Sequence, residues 1–256
     1  MHLGPWSQVA AGGAALLAGA INSMAGGGTL ISFPALVALG VPAVSANITN
    51  TVSLLPGYLA GSYAQRRDLE TQLTHARMLS VVSVVGGLAG SILLVVLPGS
   101  AFRASVPYLI LLACGLLAFG DRLRPSPRSM VDGRHELTAG RRALFLFTIF
   151  LGAAYGGFFG AGLGIMLLAL LALFSVDSLT RLNALKQALS FVINLVAAVF
   201  FLFSGKVAWT LVPVMAVGSM VGGLIGGRLV QVIDSDRLRK LVVVAGVAVA
   251  ISFWVA

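Results

Sequence analysis

Charge is what this sequence has least of. Only 10% of its 256 residues are Asp, Glu, Lys or Arg, against roughly 25% in a soluble globular domain, and no charged residue precedes Arg66. The 8 acidic residues all lie in connectors, so no apolar stretch offers a carboxylate to a cation or to general base chemistry. The single cysteine, Cys114, sits in an apolar run, which excludes an internal disulfide and a cysteine metal cluster and leaves a small core residue. Short alternating strands are missing too, which argues against a transmembrane barrel. H-E-x-x-H, G-x-S-x-G and paired intramembrane aspartates are absent, and "GAGLG" at Gly160 to Gly164 follows no strand, so it is no nucleotide loop. An enzyme, a cofactor and a metal are therefore not expected.

What is present is oil. Hydrophobic residues make up 58% of the chain and mean hydropathy is +0.99. Charge-free runs from Met78 to Phe102, Ala104 to Gly120, Ala143 to Val176, Gln187 to Gly205, Val207 to Gly227 and Leu241 to Ala256 can each occupy a bilayer, where a helix needs about 20 apolar residues. Helices must satisfy the backbone there, so the expected fold class is all-α and polytopic. The N-terminal "MHLGPWSQVAAGGAALLAGA" lacks a positive leader and runs into further apolar sequence, so it is expected to be retained as a span. A net charge of +9 does not indicate nucleic acid, because the Lys and Arg sit in short connectors between spans.

The chain divides into two similar halves. A polar connector over Asp121 to Arg142, with two prolines and six arginines, reads as a cytoplasmic linker between an N-terminal repeat at 1–120 and a C-terminal repeat at 143–256. "VGGLAG" from Val85 and "VGGLIG" from Val221 stand 136 residues apart, and at the same offset "NITN" from Asn47 overlies "NALK" from Asn183. Glycine-rich interruptions, "GAINSMAGGGTL" and "GAAYGGFFGAGLGI", open the two halves. Duplication with matched interruptions is the mark of a secondary transporter.

The 17 basic residues orient these halves. If each interrupted segment crossed once, giving eight spans, seven would fall outside or near it; if each enters and leaves on one side, only Arg103 and Lys206 are outside and 15 are cytoplasmic. The second arrangement is preferred, and both a re-entrant hairpin and a pair of short spans satisfy it. It makes the repeats inverted, each an interrupted segment followed by three transmembrane helices, with both termini periplasmic.

At the first break Asn22, Ser23 and Thr29 offer side-chain hydrogen bonds, and Gly26, Gly27 and Gly28 leave backbone amides unshielded. A half-helix starting there, with Thr29 as its N-cap, would direct free N–H groups at an anion. It would end near Leu39, too short for the hydrocarbon core. Gly86, Gly90, Gly222 and Gly226 read instead as helix-packing positions. Lys186 precedes a charge-free run; it either snorkels to the surface or forms a site, and its counterpart Asn50 favours the site. Asn183, Gln187 and Asn194 share its helical face, and the first half answers with Asn47, Asn50 and Thr51. One positive charge and many donors, with no acid nearby, suit a small oxyanion. His75 is a weak candidate proton carrier against plain surface placement, which is also the reading for His135.

"GAINSMAGGGTLISFPAL", "GVPAVSANITNTVSL", "GFFGAGLGIMLLALL" and "LNALKQALSFVIN" together resemble the sulfite exporter family TauE/SafE, also called the toluene sulfonate uptake permease family, over nearly the whole chain. The resemblance implies a bacterial inner-membrane carrier of a small anion such as sulfite, sulfoacetate or another organosulfonate, with proton-motive force as the driving source and a homodimer open. It also implies Asn22, Asn47, Asn50, Asn183 and Lys186 as leading substrate contacts. Tyr155 stands where Asn22 would repeat, with Phe158 and Phe159 beside the second glycines, which argues against twin sites. Export follows as the easier direction because an inside-negative potential expels anions. An anion channel, or an uptake carrier for a carboxylate or organosulfonate, would use the same donors.

Overall fold

The computed structural model describes residues 4–24, 26–70, 72–119, 139–174, 177–229 and 235–255. Every element among them is helical: α1 (Pro5–Met24), α2 (Thr29–Ala38), α3 (Ala43–Ala64), α4 (Arg66–Glu70), α5 (Leu73–Val96), α6 (Gly99–Phe119), α7 (Ala139–Phe158), α8 (Leu163–Phe174), α9 (Leu179–Leu202), α10 (Val212–Leu229) and α11 (Ser235–Val255). The all-α expectation holds, because sequence this apolar can hide its backbone polar groups in lipid only by bonding them within each segment. Four described helices have stretches long and apolar enough to span a membrane: Ala76–Val96, Gly99–Leu116, Leu179–Leu202 and Val212–Leu229. Most of the expected linker, residues 121–138, lies outside the described residues; its last four residues, Ala139 to Arg142, belong to α7.

Each half opens with a long helix and a short one. The short helices, α2 with 10 residues and α8 with 12, reach only about 15–18 Å at 1.5 Å per residue, half of a hydrocarbon core of about 30 Å. Three long helices follow in each half, and α3 and α9 begin 136 residues apart, as do α6 and α11. The small α4 lies between α3 and α5 in the first half.

The halves interlock. α1 packs on α10 of the other half, and α7 packs on α5. The repeated "VGGLxG" stretches carry both crossings: a Cβ on Gly222 or Gly226 would collide with the carbonyl oxygen of Leu16 or Ala20 in α1, and one on Gly90 with that of Ala154 in α7. Glycine here lets two helix backbones touch, since lipid gives apolar side chains no reason to prefer each other. α3 lies against both α9 and α10, so the buried row Asn47, Thr49, Asn50, Thr51 and Ser53 faces protein.

Candidate functional site

The two breaks end their first helices in the same way. Gly26 N–H donates to the Ile21 carbonyl (2.8 Å) and Gly160 N–H to that of Tyr155 (3.1 Å). Both glycines are left-handed, at φ 73° and 74°, a conformation that costs other residues about 1–2 kcal/mol. A side chain then pins each turn. Asn22 Oδ1 accepts from the N–H groups of Gly27 (3.2 Å) and Gly28 (2.7 Å), whereas Tyr155 donates its hydroxyl to the Ala161 carbonyl (2.6 Å).

Two expectations are corrected here. The glycine amides are not free, because Asn22 folds back over them and its carboxamide oxygen serves as the acceptor an N-terminal turn needs. Nor does Thr29 cap α2: it is the first helical residue, and the N-cap position is Gly28, which has no side chain to contribute.

The breaks meet each other. A Cβ on Gly26 would stand 2.6 Å from Gly164 Cα, and one on Gly164 would stand 2.7 Å from Gly26 Cα and 3.4 Å from Lys186 Cδ. Lys186 thus lies beside the contact between them. It is 0% exposed, so it does not snorkel. Its Nζ donates to the Asn22 carbonyl (3.2 Å) and to Asn183 Oδ1 (2.8 Å). No described carboxylate pairs with it; Arg181, in the first turn of α9, pairs instead with Asp177 just before that helix (3.5 Å), in a more exposed position. Its partial counter-charge is the carbonyl end of α1, worth roughly half an elementary charge.

Asn183 extends this arrangement, donating Nδ2 to Gln65 Oε1 (2.6 Å) and toward the Ser23 carbonyl (3.4 Å). Ser23 donates to the Gly223 carbonyl (3.1 Å), and Gln187 to that of Tyr58 (3.4 Å). Asn22, Ser23, Gly26 to Gly28, Asn183, Lys186 and Gln187 therefore form one neighbourhood. The rest are dispersed. Thr29 and Asn194 meet at the Tyr58 hydroxyl, and Asn194 also donates to Ser190 O (2.8 Å). Thr51 uses its hydroxyl on the Asn47 carbonyl one turn back (3.0 Å). Asn47 donates to the Phe158 carbonyl (2.9 Å), and Asn50 is buried with Oδ1 unpartnered. The His75 side chain and all of His135 lie outside the described residues.

One relation crosses the halves. At the 136-residue offset Asn47 corresponds to Asn183 and Asn50 to Lys186. Lys186 in α9 holds the carbonyl of Asn22, and Asn47 in α3 holds that of Phe158, so each interrupted helix has its end fixed by a polar residue of the other half. Chemically the ends differ. Phe158 and Phe159 lie in an aromatic cluster with Phe102 and Phe33, with ring centroids 5.3–6.1 Å apart. The second break is greasy where the first is polar, and the residue that holds its helix end, Asn47, is neutral where Lys186 carries an amine.

Sequence reading missed Gln65, Tyr58 and the anchoring role of Tyr155. Gln65 borders the basic loop and reads as connector; its burial follows only from α9 packing on the end of α3. Several buried atoms lack partners, among them the donors Asn22 Nδ2 and Gln65 Nε2 and the acceptors Asn50 Oδ1 and Gln187 Oε1. Such atoms are uncommon in interiors. A groove of about 340 Å³ between α2 and α11, lined by Pro34, Val37, Val249 and Phe253, includes none of these polar residues.

The family model "Sulfite exporter TauE/SafE" matches residues 11–253. The chain belongs to the TauE/SafE family. Similar curated proteins are the "Probable membrane transporter protein ORF9" of a Sinorhizobium species, 29% identical over 93% of this chain and 88% of the relative, and a "Probable membrane transporter protein" of Haemophilus influenzae, 30% identical over 88% and 85%. YfcA of Escherichia coli K12, with the same transporter description, is 26% identical over 90% and 83%. No solved structure matches the chain significantly. The protein is a TauE/SafE membrane transporter and not an enzyme.

Proposed function

We propose that this transporter is a secondary carrier that exports a small oxyanion, a sulfonate such as sulfoacetate, or sulfite, across the bacterial inner membrane. The observation that carries this reading is Lys186, a buried ammonium with no carboxylate partner among the described residues, bonded to the carbonyl of Asn22, whose Nδ2 is unpartnered. An ammonium has three donors, and two are in use. A third N–H on Lys186 and the Asn22 amide offer two oxygens of one anion a charge-assisted pair. Membrane potential favours exit by about 2.3 kcal/mol per charge per 100 mV; a proton is the proposed coupling ion. Alternating access comes from inverted halves moving about the contact between the breaks.

Two measurements test this. In proteoliposomes preloaded with sulfoacetate or sulfite, saturable uptake of the same labelled anion by counterflow is expected; unitary currents without saturation would instead establish a channel. Single cysteines at Ser7, Gly99 and Gly205 are expected to react with impermeant maleimide only from the periplasmic face. Labelling of any of them from the cytoplasmic face contradicts the inverted orientation.

A further inference from the structure

We infer that Gln65 Nε2 is a second anion subsite, a stop on the Arg66 side of Lys186 that receives one oxygen of a sulfonate- or carboxylate-type anion on its way to the ammonium. This rests on the reading of Lys186 as the central anion ligand.

Lys186 sets the polarity of a chain of hydrogen bonds. A lysine has donors and no acceptor, so the Asn183 atom 2.8 Å from it is the carbonyl oxygen. The Asn183 NH2 group is thereby turned to Gln65, and the Gln65 atom 2.6 Å away is a carbonyl oxygen in its turn. Reversing either amide would set donor against donor. A relay that starts at a cation must end in a donor, and it ends here at Gln65 Nε2, sealed from solvent and without a partner. The residue itself is 5% exposed, and leaving such a donor unmet is costly in any interior.

Position gives the donor its use. Gln65 caps the end of α3 and directly precedes Arg66, whose exposed guanidinium stacks on Tyr63 at 4.3 Å. Asn183 is four residues and Lys186 seven residues into α9 from Leu179, depths of about 6 and 10 Å. An anion moving inward from the Arg66 face meets surface guanidinium, then the Gln65 amide, then the ammonium. A neutral donor between two cations gives a waiting place that binds weakly enough to release.

If Gln65 only positioned Asn183, the carbonyl oxygen would be all that mattered. Gln65→Glu separates the two roles, since a carboxylate still accepts from Asn183 Nδ2 but replaces the free donor with an anionic oxygen. The probe is whichever of sulfoacetate, sulfite and acetate the wild type exchanges, assayed in membrane vesicles of both orientations. For Gln65→Glu, KM is expected to rise at least tenfold for anion presented at the Arg66 face and to change less than twofold at the other, with thermal stability retained. Should Gln65→Glu fail to fold, Gln65→Met, lacking both groups, is expected to give the same one-sided rise. Wild-type KM at the Arg66 face, or an equal rise at both faces, overturns the subsite while leaving transport intact. A wild type that exchanges none of the three overturns the proposed export of a sulfonate, sulfite or small carboxylate, and the subsite with it.

Discussion

Lys186→Met is expected to weaken anion binding by at least tenfold and to stop exchange, while the protein remains folded and extractable. A hydrogen bond to a charged group contributes about 1.5–3 kcal/mol, which is roughly ten- to a hundredfold or more in Kd, and the described partners of Nζ, the Asn22 carbonyl and Asn183 Oδ1, carry no charge that could compensate. Stability should move far less, because the terms oppose. Removing the ammonium relieves the burial of an unpaired charge, a penalty of several kcal/mol. It also orphans the Asn22 carbonyl and Asn183 Oδ1, which lose donors at 3.2 and 2.8 Å, at about 1–3 kcal/mol each. Methionine keeps most of the side-chain volume and introduces no new charge. Melting temperature should therefore shift by a few degrees without ligand, and the stabilisation that sulfoacetate or sulfite gives the wild type should vanish. A variant that keeps that stabilisation in full would remove Lys186 as a ligand and leave it as the cap on α1.

That alternative shows where sequence reading runs out. The helical class, the half-length α2 and the glycine crossings were legible, because each follows from a local pattern: apolar run length, a cluster of Gly and Pro, or a repeated small-residue motif. Lys186 was legible as an expensive residue in an apolar helix, though not as the holder of the Asn22 carbonyl. That relation depends on α9 crossing the end of α1, and nothing within either segment encodes it. Asn22 was identified as polar and near the glycines, yet its oxygen went to the very amides that seemed open to an anion, since a five-residue turn is tight enough for a side chain to fold back. Gln65 is the plainest omission. Read along the chain it belongs to a basic connector, and only the packing of α9 on α3 brings it to Asn183. Thr51 and Asn194 differ again: on a helix their short side chains can bond one turn back, and they do.

The contact between the breaks carries the second large prediction. Gly164→Ala adds a methyl 2.7 Å from Gly26 Cα and 3.4 Å from Lys186 Cδ, so it must part the breaks or push the lysine stem. Overpacking of this kind costs about 1–3 kcal/mol, and here the strain falls on the ligand, so affinity should drop about tenfold and exchange should be lost. Gly26→Ala meets the same obstacle from the opposite side at 2.6 Å and adds about 1–2 kcal/mol for a side chain in the left-handed region. Because both methyls claim one space, the double variant should be less destabilised than the two singles combined, with a coupling of about 0.5–3 kcal/mol. Gly222→Ala is the comparator: its Cβ collides with the Leu16 carbonyl oxygen at the crossing of α1 and α10, so it should lower folded yield while the surviving protein binds anion with wild-type affinity. Additive losses in the double variant, or equal affinity for Gly164→Ala and the wild type, would show that the breaks touch without acting together. Coupled losses together with weakened affinity would show that the two methyls compete for one space and that this space sets the position of the Lys186 stem.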